Sequence, residues 1–226
     1  MKKSLIREEL DAIIFHAAFS VICLPVLLIP GLEIGIKLFM LVVLYNIALP
    51  VTAKLRGHDL WINIWLFALI LSVFQVFPDW FLSHQLGILV FPEDGFPKFG
   101  TVSGYMAGLW AIPVFMIVYA SVRVGERLSP RAGYLAAALL ALVIFVGSEE
   151  TVWMLPSWYA RNVAMVGHVA VYIVIPEIIL GISCLYAFSQ IREKRNWHKI
   201  PAAFLVMLLY LGAAAFFFFA VERLLR

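Results

Sequence analysis

The sequence predicts an all-α polytopic membrane protein, a bundle of seven transmembrane helices. Hydrophobic residues make up 64% of the 226 residues and charged residues only 14%, which is too little charge to cover a soluble fold of this length. Seven predominantly apolar stretches of roughly 20 residues are each long enough to cross a bilayer core of roughly 30 Å. Because these stretches use most of the chain, we expect a single transmembrane domain over residues 1–226. A soluble enzyme, a nucleic-acid binder and a single-pass anchor are excluded.

The seven predicted spans follow one another with short connections. We expect the first to remain in the protein rather than to be a cleaved signal peptide, since it is long, acidic residues precede it and no small-residue cleavage site follows. The spans cover approximately residues 10–30, 33–53, 60–83, 103–122, 132–156, 163–190 and 200–222.

Basic residues are unevenly distributed between the two sets of loops. One side receives 12 of the 17 Lys and Arg residues, and the positive-inside rule assigns that side to the cytoplasm. The N-terminus is then cytoplasmic and the C-terminus outside, and we expect an integral protein of the cell membrane, such as the bacterial inner membrane. The cytoplasmic set is Lys2, Lys3, Arg7, Lys54, Arg56, Arg123, Arg127, Arg131, Arg192, Lys194, Arg195 and Lys199. The outer set is Lys98, Arg161, Arg223 and Arg226.

The longest predicted loop, residues 84–102, lies on the outer side between the third and fourth spans. Its two prolines and three glycines prevent a regular helix, and its Ile, Leu, Val and Phe residues are too apolar for free solution. The loop therefore either lies on the membrane surface, anchored by its aromatic residues, or folds back over the bundle as a lid on an outer-half cavity.

Ionisable residues within the apolar spans mark the candidate site. A charged group near the bilayer centre costs at least about 2.5–3.5 kcal/mol, so such a group tends to be paired, neutralised or functional. The predicted topology places Glu177 near the midplane and His16 in the inner half. The remaining five share the outer half: Asp79, His84, Glu149, Glu150 and His168.

Helical spacing predicts which of these side chains face the bundle interior. Glu149 and Glu150 are about 100° apart on a helix, so they cannot point at the same place. Gly147, three residues before Glu150, would allow close helix approach on that side and favours Glu150 as the inward group. In the third span a polar, small-residue face recurs every three or four positions: Trp65, Ala68, Ser72, Gln75 and Asp79.

In the sixth span, His168 and Tyr172 share a face, whereas Glu177 lies nine residues from His168, about 180° around a straight helix. Unless Pro176 kinks the helix, only one of His168 and Glu177 reaches the common cavity. Structural roles remain open for these groups, because Asp79 can cap a helix end and Glu177 can satisfy backbone groups beside the proline.

Several membrane chemistries lack their required residues here. The last span has no lysine for a retinal Schiff base, and no aspartate-rich motif is present to hold magnesium and diphosphate. No zinc-binding histidine spacing and no nucleophile elbow occur either. The chemistry that remains is acid–base catalysis by carboxyl groups in an apolar cavity, which requires no metal, nucleotide or redox cofactor.

The run DWFLSHQLGILVFPEDGFPKFGTVSGYMAGLWAIPVFMIVY, residues 79–119, resembles the integral-membrane lycopene cyclase domain and related carotenoid-biosynthesis membrane proteins. The shared pattern is an aspartate at a span end, a glycine, an aromatic, an apolar loop and a proline-bearing span, with its marked places here at Asp79, Gly87, Phe91 and Pro113. The run GSEETVWMLP is similar to the paired glutamates of those cyclases, although they carry the pair one span earlier, after a proline. Seven spans in so short a chain also resemble small membrane terpene cyclases of meroterpenoid pathways.

This resemblance implies cyclisation or hydration of an isoprenoid, with catalytic roles for Asp79, Glu149 and Glu150. Such reactions begin when a neutral carboxylic acid protonates an alkene or epoxide, and apolar surroundings favour the neutral acid. Aromatic faces stabilise the carbocation, and a second carboxylate or a histidine removes the final proton. The predicted substrate-binding residues are His168, Glu177, Tyr172, Gln75, Trp80, Trp110 and Trp153.

The predicted ligand is a membrane lipid or an isoprenoid small molecule that enters from the bilayer. The alternative is a small proton- or cation-coupled transporter, or a lipid-binding membrane protein without catalysis, in which Asp79, Glu150 and Glu177 bind protons or a cation. Transporters usually contain repeated halves with matching broken helices, and the first three and last three spans do not obviously match. The substrate and the oligomeric state stay open at this point.

Overall fold

The structure, a computed structural model, describes residues 2–224, with side chains described from residue 7 onward. Lys2, Lys3 and Arg226, which enter the predicted charge distribution, lie outside the described side chains. Within the described residues, seven helical segments are long and apolar enough to cross a membrane. The predicted all-α fold class is therefore confirmed, and the number of membrane-length apolar helices equals the predicted number of spans.

Eight α-helices form the described part of the chain, and the short α4 and the following α5 together make the fourth membrane-length segment. A π-helical turn extends each of α3 and α8, and a 3-10 turn precedes each of α7 and α8. The helices are α1 (Lys2–Leu27), α2 (Ile34–Arg56), α3 (Asp59–Trp80), α4 (Met106–Leu109), α5 (Ala111–Arg127), α6 (Pro130–Val152), α7 (Val174–Ile191) and α8 (Lys199–Phe219).

Helices α3, α5, α7 and α8 form the centre of the bundle, with α6 against α5 and α7, α2 against α3, and α1 at the edge against α2. Small residues let two of these helix pairs approach closely, as is common between membrane helices. A Cβ atom placed on Gly181 of α7 would lie 2.6 Å from the Cβ of Ala141 in α6. A Cβ atom on Gly133 of α6 would lie 3.1 Å from the Cα of Gly125 in α5. Helix α6 is thus held close to both neighbours.

Two connections at one end of the bundle form a cap, defined here as residues 86–105 and 153–170. Three pairs of two-residue antiparallel strands build it: β1 (Leu89–Val90) with β4 (Tyr159–Ala160), β2 (Lys98–Phe99) with β3 (Val102–Ser103), and β5 (Met165–Val166) with β6 (Val169–Ala170). The β1–β4 pair joins the two connections to each other. Ile88, Phe91 and Val102 of the cap are buried, so the long loop folds back over the bundle.

Asp94 fixes the cap to the beginning of α2. Its side chain is fully buried and accepts hydrogen bonds from the Ser103 hydroxyl (2.5 Å) and the Phe96 backbone N–H (3.0 Å). Its carbonyl oxygen accepts a hydrogen bond from the N–H of Gly35 at 2.7 Å. Only glycine fits there, since a Cβ atom on Gly35 would lie 2.6 Å from an Asp94 carboxyl oxygen.

Ion pairs gather at the end of the bundle opposite the cap and hold the peripheral helix α1 there. Asp11 of α1 accepts two hydrogen bonds from Arg56, at 2.9 and 2.6 Å, and lies 2.8 Å from Nε2 of His58. Glu8 pairs with Arg123 of α5. Only 6% of the most apolar window of α1 is buried, so these polar contacts supply much of its attachment to the bundle.

The predicted fifth and sixth spans differ from the observed helices at their cap ends. Helix α6 ends at Val152 rather than 156, and α7 begins at Val174 rather than 163. The apolar run from 163 to 173 reads as helix, but it contains the β5–β6 hairpin, which turns at Gly167 with φ of +61°. A positive φ of this kind is adopted readily by glycine and is incompatible with a continuous α-helix.

Candidate functional site

A cavity of about 280 Å³ lies between the cap and the adjoining ends of the helices. Helices α3 to α8 and both parts of the cap contribute to its wall. Most lining side chains are apolar, and the aromatic ones are Phe91, Trp110, Phe145, Trp158, Tyr172 and Tyr210. Three carboxyl groups line the same cavity: Asp79, Glu149 and Glu177. The lining, all within the described part of the chain, contains no Lys, Arg or His.

Asp79, in the last turn of α3, lies on the cavity as predicted from its depth. Its side chain is only 3% exposed, and its Oδ2 atom accepts a hydrogen bond from Nε1 of Trp110 at 3.0 Å. The Trp110 ring packs against Phe145 and Tyr210, with ring centroids 5.5 and 5.9 Å away. The indole therefore orients one carboxyl oxygen of Asp79 and leaves the other for a ligand.

Glu149, rather than Glu150, faces the cavity, so the expectation that Glu150 points inward is wrong. Glu149 Oε2 accepts a hydrogen bond from the backbone N–H of Ala170 at 3.0 Å, which ties α6 to the cap hairpin. Glu150 is absent from the cavity wall, and its side chain is 40% exposed. The glycine that suggested otherwise, Gly147, has no packing neighbour: a Cβ atom there would meet nothing within 4 Å.

Glu150 instead binds His168 at the outer surface of the cap. Its Oε1 atom accepts the backbone N–H of His168 at 2.9 Å, and its Oε2 atom lies 3.1 Å from Nδ1 of the imidazole. The imidazole stacks on Trp153 with ring centroids 4.2 Å apart. The two adjacent glutamates therefore accept hydrogen bonds from the same hairpin on opposite sides. The Glu149 side chain faces the cavity and the Glu150 side chain faces outward.

Glu177 lies in the first turn of α7 and is 5% exposed. Among the described residues its Oε2 atom has no hydrogen-bond partner, although it is buried. The carboxyls of Glu177 and Glu149 are close enough to interact electrostatically. Pro176 does not kink a longer helix, because it falls in the first turn, where proline is tolerated. With α7 beginning at Val174, Glu177 lies nearer the cap than predicted and reaches the cavity.

Two tyrosine hydroxyls join the carboxyl groups. Tyr172 and Tyr210 are 3% and 2% exposed, and each lies within electrostatic reach of all three cavity carboxyls. Tyr172 was predicted to bind substrate, whereas Tyr210 was missed. Its only signal in the sequence is a single hydroxyl within the apolar last span.

Four predicted substrate-binding residues do not line the cavity. His168 and Trp153 form the outward-facing pair described above, and Trp80 stacks on His84 with ring centroids 5.3 Å apart. Gln75 is fully buried in α3, one turn before Asp79, but it is not part of the cavity wall. Residues at one depth can face different directions, so depth alone did not separate these side chains from the site.

Several lining residues on α5 and α6 are also exposed on the outside. Met116 of α5 lines the cavity and is nevertheless 37% exposed on the outside of the bundle. Ile112 on α5 and Ile144 and Ser148 on α6 also line it and are partly exposed. The two helices pack closely at Gly125 and Gly133, toward the end opposite the cap, whereas the exposed lining residues lie toward their cap ends.

The arrangement suits proton transfer to and from an apolar molecule. Asp79 and Glu149 are each oriented through one oxygen by an N–H donor, and a positioned carboxyl of this kind acts as a general acid or base. Across residues 2–224, no group of three His, Cys, Asp or Glu side chains is placed to hold a metal ion.

Residues 76–221 match a family model described as a domain of unknown function, DUF6989. This region contains every residue that lines the cavity and excludes helices α1 and α2. No curated protein and no solved structure matches the chain. Since the matched region covers more than half of its length, the chain belongs to the DUF6989 family.

Proposed function

We propose that this protein is an integral membrane enzyme that performs cofactor-independent acid–base chemistry on an isoprenoid or a similarly apolar lipid. One observation carries the proposal: three carboxyl groups and two tyrosine hydroxyls converge in a largely apolar, aromatic cavity whose wall holds no basic residue. The reaction class is cyclisation or hydration through a carbocation, as the resemblance to membrane lycopene cyclases implies.

In the proposed reaction, Asp79 and Glu149 exchange protons with the substrate. One of them, in its neutral form, gives its proton either to an alkene carbon, where the alkene π electrons form the new C–H bond and leave a cation on the neighbouring carbon, or to an epoxide oxygen, where a lone pair forms the O–H bond and a C–O bond breaks to leave a hydroxyl and a carbocation. The other, as a carboxylate, removes a proton from the cation, and the C–H electrons form the new double bond. Trp110 donates its indole N–H to Asp79 and lines the same cavity, and the face of its ring would stabilise the cation.

Charge and access both favour an apolar substrate. A phosphate or diphosphate group normally requires Arg or Lys partners, and three carboxyl groups would repel it here. The exposed lining residue Met116 marks a side from which a lipid would enter without crossing the cap. The cap covers the other approach with apolar residues such as Leu89, Phe91 and Trp158.

For the orientation of the bundle, we propose that the end with the ion pairs is cytoplasmic. The support is the basic-residue asymmetry together with its clustering at one end, where Arg56, Arg123 and Arg192 lie. The cavity would then lie in the half of the membrane that faces away from the cytoplasm. In a bacterium, the membrane concerned would be the inner (cell) membrane.

Incubation in deuterated water tests the proposed chemistry. Protein in nanodiscs is given linear isoprenoid alkenes and epoxides, and products are analysed by mass spectrometry. An initiating protonation places one solvent deuterium on carbon in an alkene product, or on oxygen in an epoxide product, where it exchanges. We therefore expect carbon-bound deuterium from alkene substrates, lost in Asp79→Asn and Glu149→Gln. Glu93→Gln, an exposed carboxyl of the cap, is the matched control. Products that form equally in both site variants would refute the proposal.

A coupled transporter or lipid-binding protein is the second candidate, favoured by Glu177. A buried carboxyl without a hydrogen-bond partner among the described residues can bind and release a proton or cation during transport. Proteoliposomes loaded with a pH indicator distinguish transport from catalysis. Substrate-dependent proton flux without chemical conversion would favour transport.

A further inference from the structure

The three cavity carboxyls are not equivalent in their hydrogen bonding. Asp79 and Glu149 each accept an N–H donor from the protein, from Trp110 and Ala170. Glu177 is 95% buried, lines the cavity, and has an oxygen without a donor among the described residues. A buried acceptor left unpaired is unfavourable, so a donor supplied by a ligand would complete this position.

Aromatic rings surround the same place. Tyr172 and Tyr210 line the same cavity as Glu177, and both are almost fully buried. The Tyr210 ring lies 5.9 Å from that of Trp110, centroid to centroid. Aromatic faces attract cations, most strongly where water is excluded, so rings and carboxyl together form surroundings that favour a positive charge.

We infer that Glu177, Tyr172 and Tyr210 form a cation-recognition subsite that binds a lipophilic ammonium ion, with the ammonium N–H donated to Glu177 and the alkyl chain in the apolar part of the cavity. The inference rests on the proposed function, because the same subsite would hold the positive charge of the carbocation. It adds the class of stable ligand that the site takes: a protonated amine on an apolar chain.

Matched eight-carbon probes separate charge from apolarity in the wild-type protein. N,N-dimethyloctylamine, protonated at neutral pH, carries a charge and an N–H donor. Trimethyloctylammonium keeps the charge but has no N–H, octan-1-ol is neutral, and octanoate is an anion. Binding to protein in nanodiscs, measured by calorimetry, is expected to be at least tenfold tighter for the tertiary ammonium than for each of the other three.

The variant Glu177→Gln keeps the shape of the side chain and removes its charge. We expect it to lose at least tenfold in affinity for N,N-dimethyloctylamine, whereas Glu93→Gln binds as the wild type does. Unchanged affinity in Glu177→Gln would overturn the inference. If this variant does not fold, the wild-type comparison decides, since equal binding of the tertiary and permethylated ions would exclude the hydrogen bond to Glu177.

The two proposals fail in different measurements. Deuterium incorporation without preference for the ammonium probe would overturn the cation subsite and leave the acid–base chemistry standing. Selective, Glu177-dependent binding of the probe without any conversion of isoprenoids would support the subsite and overturn the proposed reaction.

Discussion

Replacing Gly181 with alanine is expected to force α6 and α7 apart. The new Cβ atom would lie 2.6 Å from the Cβ of Ala141 and 2.9 Å from the carbonyl oxygen of Ala137. Carbon atoms pack at about 3.5–4.0 Å, so the helices must separate by about 1 Å. Neither contact atom belongs to a flexible side chain that could move aside.

Overpacking of this kind destabilises proteins by about 1–3 kcal/mol. At about 2–4 °C per kcal/mol for a chain of this size, the unfolding temperature of Gly181→Ala should fall by about 2–12 °C. The assay is thermal unfolding in detergent, followed by intrinsic tryptophan fluorescence. Gly212→Ala in α8 is the control, since a Cβ atom there meets nothing within 4 Å, and alanine is the better helix former.

The same change should also weaken the site, because Gly181 is one turn beyond Glu177 on α7. Separating α7 from α6 moves Glu177 relative to Glu149, so Gly181→Ala should bind N,N-dimethyloctylamine more weakly, while Gly212→Ala should bind it normally. An unfolding temperature for Gly181→Ala equal to that of the wild type would contradict the close helix contact. Normal probe binding in a destabilised variant would contradict its link to the site.

Three further predictions follow from the site and the charge distribution. Glu149→Gln should reduce carbon-bound deuterium incorporation by about 10²–10⁴-fold, the usual contribution of a general acid or base; Glu150→Gln should leave it near the wild-type level, and the reverse order would contradict the assignment of the inward carboxyl. In a background without native cysteines, an impermeant thiol reagent added outside cells should label Glu93→Cys and not Lys194→Cys; outside labelling at 194 would invert the proposed orientation. Lipids extracted with the purified protein should include an apolar, unphosphorylated molecule that is depleted in Asp79→Asn, whereas a phosphorylated ligand would refute the proposed substrate class.

Composition and hydropathy were sufficient to predict the helical architecture, because a bilayer requires long apolar segments whatever their packing. They were insufficient at the cap end of α7. There the apolar residues belong to the β5–β6 hairpin of the cap, in which Val169 and Ala170 are buried whereas Met165 and Val166 are exposed. Hydropathy reports how strongly side chains prefer apolar surroundings of any kind. It therefore did not distinguish this hairpin from a membrane span.

Depth along the spans was sufficient to place Asp79 and one of the adjacent glutamates at the candidate site. Tyr172 was chosen because it shares a predicted helical face with His168, yet it lines the cavity without His168. The choice between Glu149 and Glu150 depended on a hairpin that a helical projection does not contain, since the N–H of Ala170 meets Glu149 inside and that of His168 meets Glu150 outside. Glu177 was predicted deeper in the bundle because its helix was expected to start eleven residues earlier.

In the proposed reaction, one cavity must admit an apolar substrate and also hold a reactive cation. The cap and the exposed lining at Met116 would serve these two requirements. In a cyclisation, a carbocation is captured by water unless water is excluded, and closing a site against solvent is a general means of protecting such intermediates. Leu89 and Phe91 cover the cavity from the cap, and the hydrogen bond from Ala170 to Glu149 holds the other part of the cap in place. Met116, which also lines the cavity, is exposed on the outside of α5. In the proposed reaction Glu149 would therefore have two roles, since one oxygen accepts the cap hydrogen bond and the other would act on the substrate. Glu149→Gln retains an acceptor for the cap and loses only the acid, whereas Glu149→Ala should also loosen the hairpin and increase hydrogen exchange at Ala170.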